Sequence, residues 1–256
     1  GSEMCIRDRH GKEQTFYNKN KNGECLQMDT YYKIPKRLEE YRKRISFTQE
    51  QMGDIMGVGQ DHYQRLEKGT VIISNNGLEK IEEHGGDIYY LITGEKQKTG
   101  IVNELLESCS NQKEKELLLR FYILCIEAEL TKIQGEIKDE IHHYLRMSER
   151  ALEEDTIWRG IRLLEGTTQM NMAKLLDIDR KRYVKLEKQT TSMDAHILNQ
   201  LFQEFRFFPF QLFERGKYYL NGLYNLAETL PDSEQNEIER KMESYMSWIK
   251  REEPLQ

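Results

Sequence analysis

Arg180, Lys181 and Lys185 fall within six consecutive positions, and 120 residues earlier the equivalent positions hold Gln60, Asp61 and Arg65. Such side chains match the chemistry of nucleic acid. Arg and Lys suit guanine edges and phosphate oxygens, Gln suits adenine, and Asp accepts from the cytosine amino group. The plainer alternative is a pair of solvated helix faces. Catalysis has no comparable support: the chain lacks a Gly-rich nucleotide loop, an H-E-x-x-H and a G-x-S-x-G. His142 and His143 are adjacent and would point about 100° apart on a helix, while His62, His84 and His196 stand alone. Cys5, Cys25, Cys109 and Cys125 form no C-x-x-C pair and have no His at zinc spacing. They read as free thiols, so no enzyme activity, metal or cofactor is expected.

The elements that must position the polar residues are legible from a repeat. Thr48-Gln49, Met52, Ile55-Met56-Gly57-Val58, Tyr63 and Leu66-Glu67-Lys68 return as Thr168-Gln169, Met172, Leu175-Leu176-Asp177-Ile178, Tyr183 and Leu186-Glu187-Lys188, offset by 120 throughout. Spacing kept through both a helical pattern and a turn copies a three-dimensional unit. Thr48 suits a helix N-cap and Gln51 closes a capping box, so the first helix buries Met52, Ile55 and Met56 and stops at Gly57. Asp177 tolerates the left-handed turn position better than most side chains. A second helix then buries Tyr63 and Leu66. Gly53 and Ala173 share the slot where two steeply crossing helices leave little room. Each copy reads as a helix-turn-helix.

On Thr48-Gln49, Gly53, Gly57-Val58 and Glu67-Lys68-Gly69, matched by Thr168-Gln169, Ala173, Ile178 and Glu187-Lys188, the chain resembles the lambda-repressor-like, or xenobiotic-response-element, helix-turn-helix regulators. The resemblance covers residues 31–95 and 155–216. It implies an all-α fold with two five-helix domains, a basic helix before each repeat and apolar segments after it, closing at residues 87–94 and 209–213. In that family the second helix of the pair enters the major groove. Carried over by position, Gln60, Asp61 and Arg65, and then Arg180, Lys181 and Lys185, become base-reading candidates, with Gln49 and Gln169 contacting the DNA backbone and bases. The resemblance also implies that Glu67 pairs with Arg42, and Glu187 with Arg162, as structural salt bridges.

A net charge of −6 looks unsuited to duplex DNA until it is divided. Residues 33–69 carry +2 and residues 157–188 carry +4, whereas residues 101–155 carry −6. Charge is segregated as expected if the two modules meet phosphate and the connector does not. Hydrophobic residues make up 38% of the chain, with no apolar run near the ~18 residues a membrane span needs. A cytoplasmic protein with no membrane contact is expected.

The domain reading is a tail over 1–32, a first helix-turn-helix domain over 33–95, an acidic helical connector over 96–154, a second helix-turn-helix domain over 155–216 and a C-terminal helical extension over 217–256. Gly1 and Ser2 read as a cloning remnant and residues 3–9 as translated adapter DNA, while residues 11–32 suit a hairpin or a loose arm. In the connector, Leu105, Leu106, Leu117, Leu118, Phe121, Leu124 and Cys125 recur at helical spacing. After Pro231, Ile238, Met242, Tyr245, Met246 and Ile249 share one face, of which Ile238, Met242, Tyr245 and Ile249 are the candidates for a homodimer contact. The expected function is a bacterial or phage repressor-like regulator that reads duplex DNA with two non-identical modules. The rival is a protein-interaction module, such as an antitoxin or repressor antagonist, that has given up DNA in one or both domains. Whether a protein or peptide effector acts on the chain is left open by the sequence.

Overall fold

The computed structural model describes residues 33–132, 137–152, 156–213 and 217–252. They form α1 (Lys33–Arg44), α2 (Gln49–Met56), α3 (Gln60–Glu67), α4 (Asn75–Glu83), α5 (Ile88–Thr93), α6 (Ile101–Ser108) and α7 (Gln112–Leu130). There follow α8 (Ile137–Ala151), α9 (Ile157–Leu164), α10 (Gln169–Leu175), α11 (Arg180–Glu187), α12 (Ala195–Phe205), α13 (Asn221–Ala227) and α14 (Asp232–Glu252). The described residues are all-α and contain no strand, only an isolated antiparallel bridge between Ser74 and Asp194. None of these helices is long and apolar enough to cross a membrane. The 11–32 segment lies outside the described residues, as do Cys5 and Cys25; Cys109 and Cys125 are not in a disulfide with any described residue.

Packing divides these residues into two units, 33–54 with 58–71 and 55–57 with the chain from 72 onward. In the first, α1 buries Ile34, Pro35, Leu38 and Tyr41, a stripe one helical face wide. Pro35 stands in the first turn, where its missing N–H costs nothing. Arg42, Lys43 and Arg44 occupy the last turn, where cations favour the carbonyl end of the helix. Tyr63 and Leu66 are the buried face of α3.

The second unit includes two clusters of buried residues. One joins Met147 of α8 to Trp158, Ile161, Met172, Ala173, Leu176, Tyr183, Leu186, Ile197 and Leu201, so α9 to α12 close around Tyr183, whose hydroxyl donates to the Trp158 carbonyl at 2.8 Å. The other is built from α6, α7, α13 and α14 with Ile141 and Leu145 of α8. Two features lock it. Buried Glu129 of α7 accepts from Lys241 of α14 at 2.6 Å and from Lys132, and these two hydrogen bonds hold its carboxyl below the ordinary value. Asn221, 1% exposed, accepts from the Lys98 N–H and donates to the Lys96 carbonyl, both at 2.9 Å, tying the segment between α5 and α6 to α13.

Two expectations change. Residues 206–213 form no helix, so the second copy has four described helices, α9 to α12, and not five. Pro209 removes a donor and disfavours helical backbone at Phe208. Phe207, Phe208 and Phe210 are buried from an irregular segment instead. The α14 face is also not free for a second subunit: Ile238, Met242 and Met246 are 2%, 0% and 4% exposed within the chain's own core, and Tyr245 stacks on Phe121 at 4.3 Å. The side chain of Ile249 lies outside the described set.

Candidate nucleic-acid interface

The two helix pairs repeat below the level of sequence. Backbone with positive φ occurs at Ser46 (60°), Gly57 (67°) and Gly69 (72°), and again at Gly166 (58°), Asp177 (51°) and Gln189 (54°), each offset by 120. Three different side chains, Ser46, Asp177 and Gln189, thus occupy left-handed positions where their partners in the other copy are glycine. A turn geometry repeated between the two copies accounts for the strain that Gln189 accepts. The hydrogen bonds agree: Val58 N–H donates to Gly53 O at 2.8 Å and Ile178 N–H to Ala173 O at 2.9 Å. Likewise Thr70 donates to Arg65 O at 3.0 Å and Thr190 to Lys185 O at 2.9 Å. A Cβ on Gly53 would stand 2.8 Å from the Val58 carbonyl oxygen, the tight crossing expected for that slot.

Capping follows the side chains present. Thr48 accepts from the Gln51 N–H at 3.1 Å, and the Gln51 side chain accepts from the Thr48 N–H at 2.8 Å, a reciprocal capping box. Thr168 accepts from the Asn171 N–H at 3.2 Å, the half of the box that this copy forms. The α3 N-cap is Gly59, with no side-chain cap; on α11 Asp179 accepts from the Arg182 N–H at 2.9 Å.

Each pair is held by a three-residue ion cluster. Arg42 Nε donates to Glu67 Oε1 at 2.6 Å and its Nη2 to Oε2 at 3.3 Å, while Nη1 reaches the Phe47 carbonyl at 2.9 Å. Arg162 Nε donates to Glu187 Oε1 at 2.5 Å and its Nη1 to the Thr167 carbonyl at 3.4 Å. The side chains of Arg42 and Glu67 are 12% and 6% exposed. Burial works to raise both glutamate pKa values. Hydrogen bonds from Arg42 and Gln49 in one copy, and from Arg162 and Gln169 in the other, outweigh it and hold both carboxyls below the ordinary value.

Gln49 and Gln169 are the members of that cluster that sequence reasoning assigned elsewhere. Each gives its amide N–H to the second carboxylate oxygen, at 2.7 Å in both copies. Their spacing from the glutamate, 18 residues in both copies, is the signal that was available. The fourth helix also continues the repeat: Ser74 and Asp194 are N-caps of α4 and α12, again 120 apart. These two equivalent residues form the antiparallel bridge, with Ala195 N–H donating to Ile73 O at 3.0 Å. Antiparallel pairing of equivalent residues gives α4 and α12 a local two-fold relation at that point.

The candidate readers are all on the surface. Gln60, Asp61 and Arg65 of α3 are exposed, as are Arg180, Lys181 and Lys185 of α11. At about 100° per residue, Arg180, Lys181, Lys185 and exposed Lys188 lie within an arc of about 140° opposite Tyr183 and Leu186. That face carries four positive charges, whereas the equivalent face of α3 carries Arg65 and Lys68 against Asp61. Asp177 and Asp179 at the head of α11 subtract from the difference. Arg182 points aside to Asp194 Oδ2 at 2.5 Å, which fastens α11 to α12.

Comparison with known families, curated proteins and solved structures finds no match. What recommends the two helix pairs as a site is their own geometry.

Proposed function

We propose that the chain is a sequence-specific DNA-binding regulator of the lambda-repressor-like helix-turn-helix kind, in which α2–α3 and α10–α11 are two non-identical readers. One observation carries the reading. A helix pair with the same left-handed turn positions, the same Arg–Glu–Gln cluster and an outward polar helix occurs twice in register. In such a pair the second helix lies in the major groove, its N-terminal residues toward base edges.

Under this reading Arg180, Lys181 and Lys185 read bases or neutralise phosphates, and the Arg–Glu–Gln clusters hold the reader helices in place. Glu67 and Glu187 are structural, because each is largely buried and already holds an arginine and a glutamine of its own module. The amide hydrogen bonds of Gln49 and Gln169 give these residues a second duty, orienting the glutamate. A specific observation favours a narrower version for α3: Asp61 lies on its exposed face, and a carboxylate near phosphate weakens non-specific attraction. The first module then contributes less DNA affinity and is the one available to a protein partner.

The test is an affinity titration against fluorescent duplex DNA at two salt concentrations. Affinity that falls with salt, and falls further in Arg180→Ala and Lys181→Ala, supports the reading. Salt-independent binding, or none, assigns the helix pairs to protein contacts.

A further inference from the structure

We propose that the second unit carries a binding site for a small aromatic carboxylate, in the cavity between α5, α8, α12 and the segment that follows α12. The cavity has a volume of about 280 Å³ and is lined by the rings of Tyr89, Tyr144, Phe202 and Phe208 together with the polar side chains of Glu95, Arg206 and Asn225. A dry cavity of about 150 Å³ accommodates benzene. The extra volume leaves room for a ring bearing a short acidic arm.

The lining is organised for such a ligand. Tyr89 meets Phe202 edge-on at 6.1 Å and Phe208 at 5.1 Å, so the apolar walls are fixed relative to one another. Tyr89 donates its hydroxyl to Glu95 at 2.8 Å, which engages the one carboxylate that the described residues bring to the lining. Burial first, and then that carboxylate, push the Tyr89 hydroxyl far up, so it stays protonated and donating.

Arg206 supplies the charge. It ends α12 with φ of 52°, a left-handed conformation that costs a non-glycine residue free energy. Its guanidinium lies over the Phe202 ring at 5.4 Å, and among the described residues it forms no ion pair. A guanidinium beside an aromatic wall offers a planar two-donor fork, the geometry that carboxylates accept. Selection for an anion over its neutral analogue follows from that fork.

The regulatory meaning of the site rests on the function proposed above. Arg206 and Phe202 end α12, and the N-cap of the same helix, Asp194, holds Arg182 of α11. An occupant that fixes α12 therefore acts on the helix carrying Arg180, Lys181 and Lys185. Ligand binding itself does not depend on DNA, so the two proposals fail separately.

The experiment is calorimetric titration of the full chain, without DNA, using phenylacetate and its neutral analogue phenylacetamide, in the unaltered protein and in Arg206→Gln. Circular dichroism checks that the variant is folded; Arg206 is exposed and its backbone bond to Phe202 survives the change. The expected result is saturable one-to-one binding of phenylacetate, at least tenfold weaker for phenylacetamide, and at least tenfold weaker for phenylacetate in Arg206→Gln while phenylacetamide is unchanged. Absence of saturable phenylacetate binding up to about 10 mM, equal affinity for acid and amide, or equal affinity in the folded variant overturns the proposal.

Discussion

Replacing Glu67 by Ala strands two donors at once. The Arg42 guanidinium, with a side chain only 12% exposed, loses two hydrogen bonds, and the Gln49 amide loses one. Removing one partner of a largely buried pair costs about 3–5 kcal/mol when the remaining charge has no recourse. Here Arg42 keeps its bond to the Phe47 carbonyl, so about 2–3 kcal/mol is expected. The double replacement Arg42→Met with Glu67→Met removes the charge and the void together and should recover at least half of that loss. The assay is urea unfolding of the single and double variants, each compared with the unaltered chain at pH 7. The sign of the pH dependence follows from the direction of the shift. Glu67 titrates below its ordinary 4.5 in the folded chain, so its stabilising contribution is complete above that value and is lost as pH falls through the lower folded value. Glu67→Gln should therefore flatten the loss of stability below pH 4.5 and leave the profile above it parallel to that of the unaltered chain. A Glu67→Ala cost under about 0.5 kcal/mol, the level of an exposed ion pair, would refute the structural role assigned to the cluster.

Gln189→Gly should stabilise the chain by about 0.5–1 kcal/mol, since it relieves left-handed strain at φ 54°, and Gly69→Gln should cost at least as much, both read from urea midpoints. Gly222→Ala should destabilise by about 1–3 kcal/mol, because its Cβ would stand 1.5 Å from the Tyr144 hydroxyl oxygen; an unchanged melting temperature would contradict that packing. Arg180→Ala or Lys181→Ala should weaken specific duplex binding by about 1–3 kcal/mol and relax preference at one base pair, measured by competition among single-base variants of the site. Gln49→Ala should lower both thermal stability and DNA affinity with little change of preference, because its amide supports Glu67.

The parts of the fold that were legible in the sequence are those that depend on local chemistry. Thr48 and Gln51 announce a capping box, and Gly57 announces a left-handed stop; both follow from short-range geometry that any matching sequence must satisfy. The Arg42 and Glu67 positions were reachable because the family resemblance supplied a contact between residues 25 apart. The bond from Gln49 to Glu67 was not legible because a solvent-facing helix start suits DNA contact as well as it suits an internal carboxylate. The missing fifth helix of the second copy turned on Pro209, a breaker that the apolar run around it concealed. The α14 face looked free because one amphipathic stripe is the same whether it meets α7 of its own chain or a second subunit. The cavity near Arg206 is assembled from α5, α8, α12, the segment that follows α12, and α13, and no local pattern encodes a meeting of segments that distant.

Binding-site selection from random duplex DNA with the full chain tests the central claim most directly. The account predicts an enriched motif with two unlike halves, one of which loses its sequence preference when Arg180 and Lys181 are replaced by Ala, and an affinity that falls steeply with salt. An unenriched pool would contradict it. So would a palindromic motif that survives unchanged in the Arg180 and Lys181 variants.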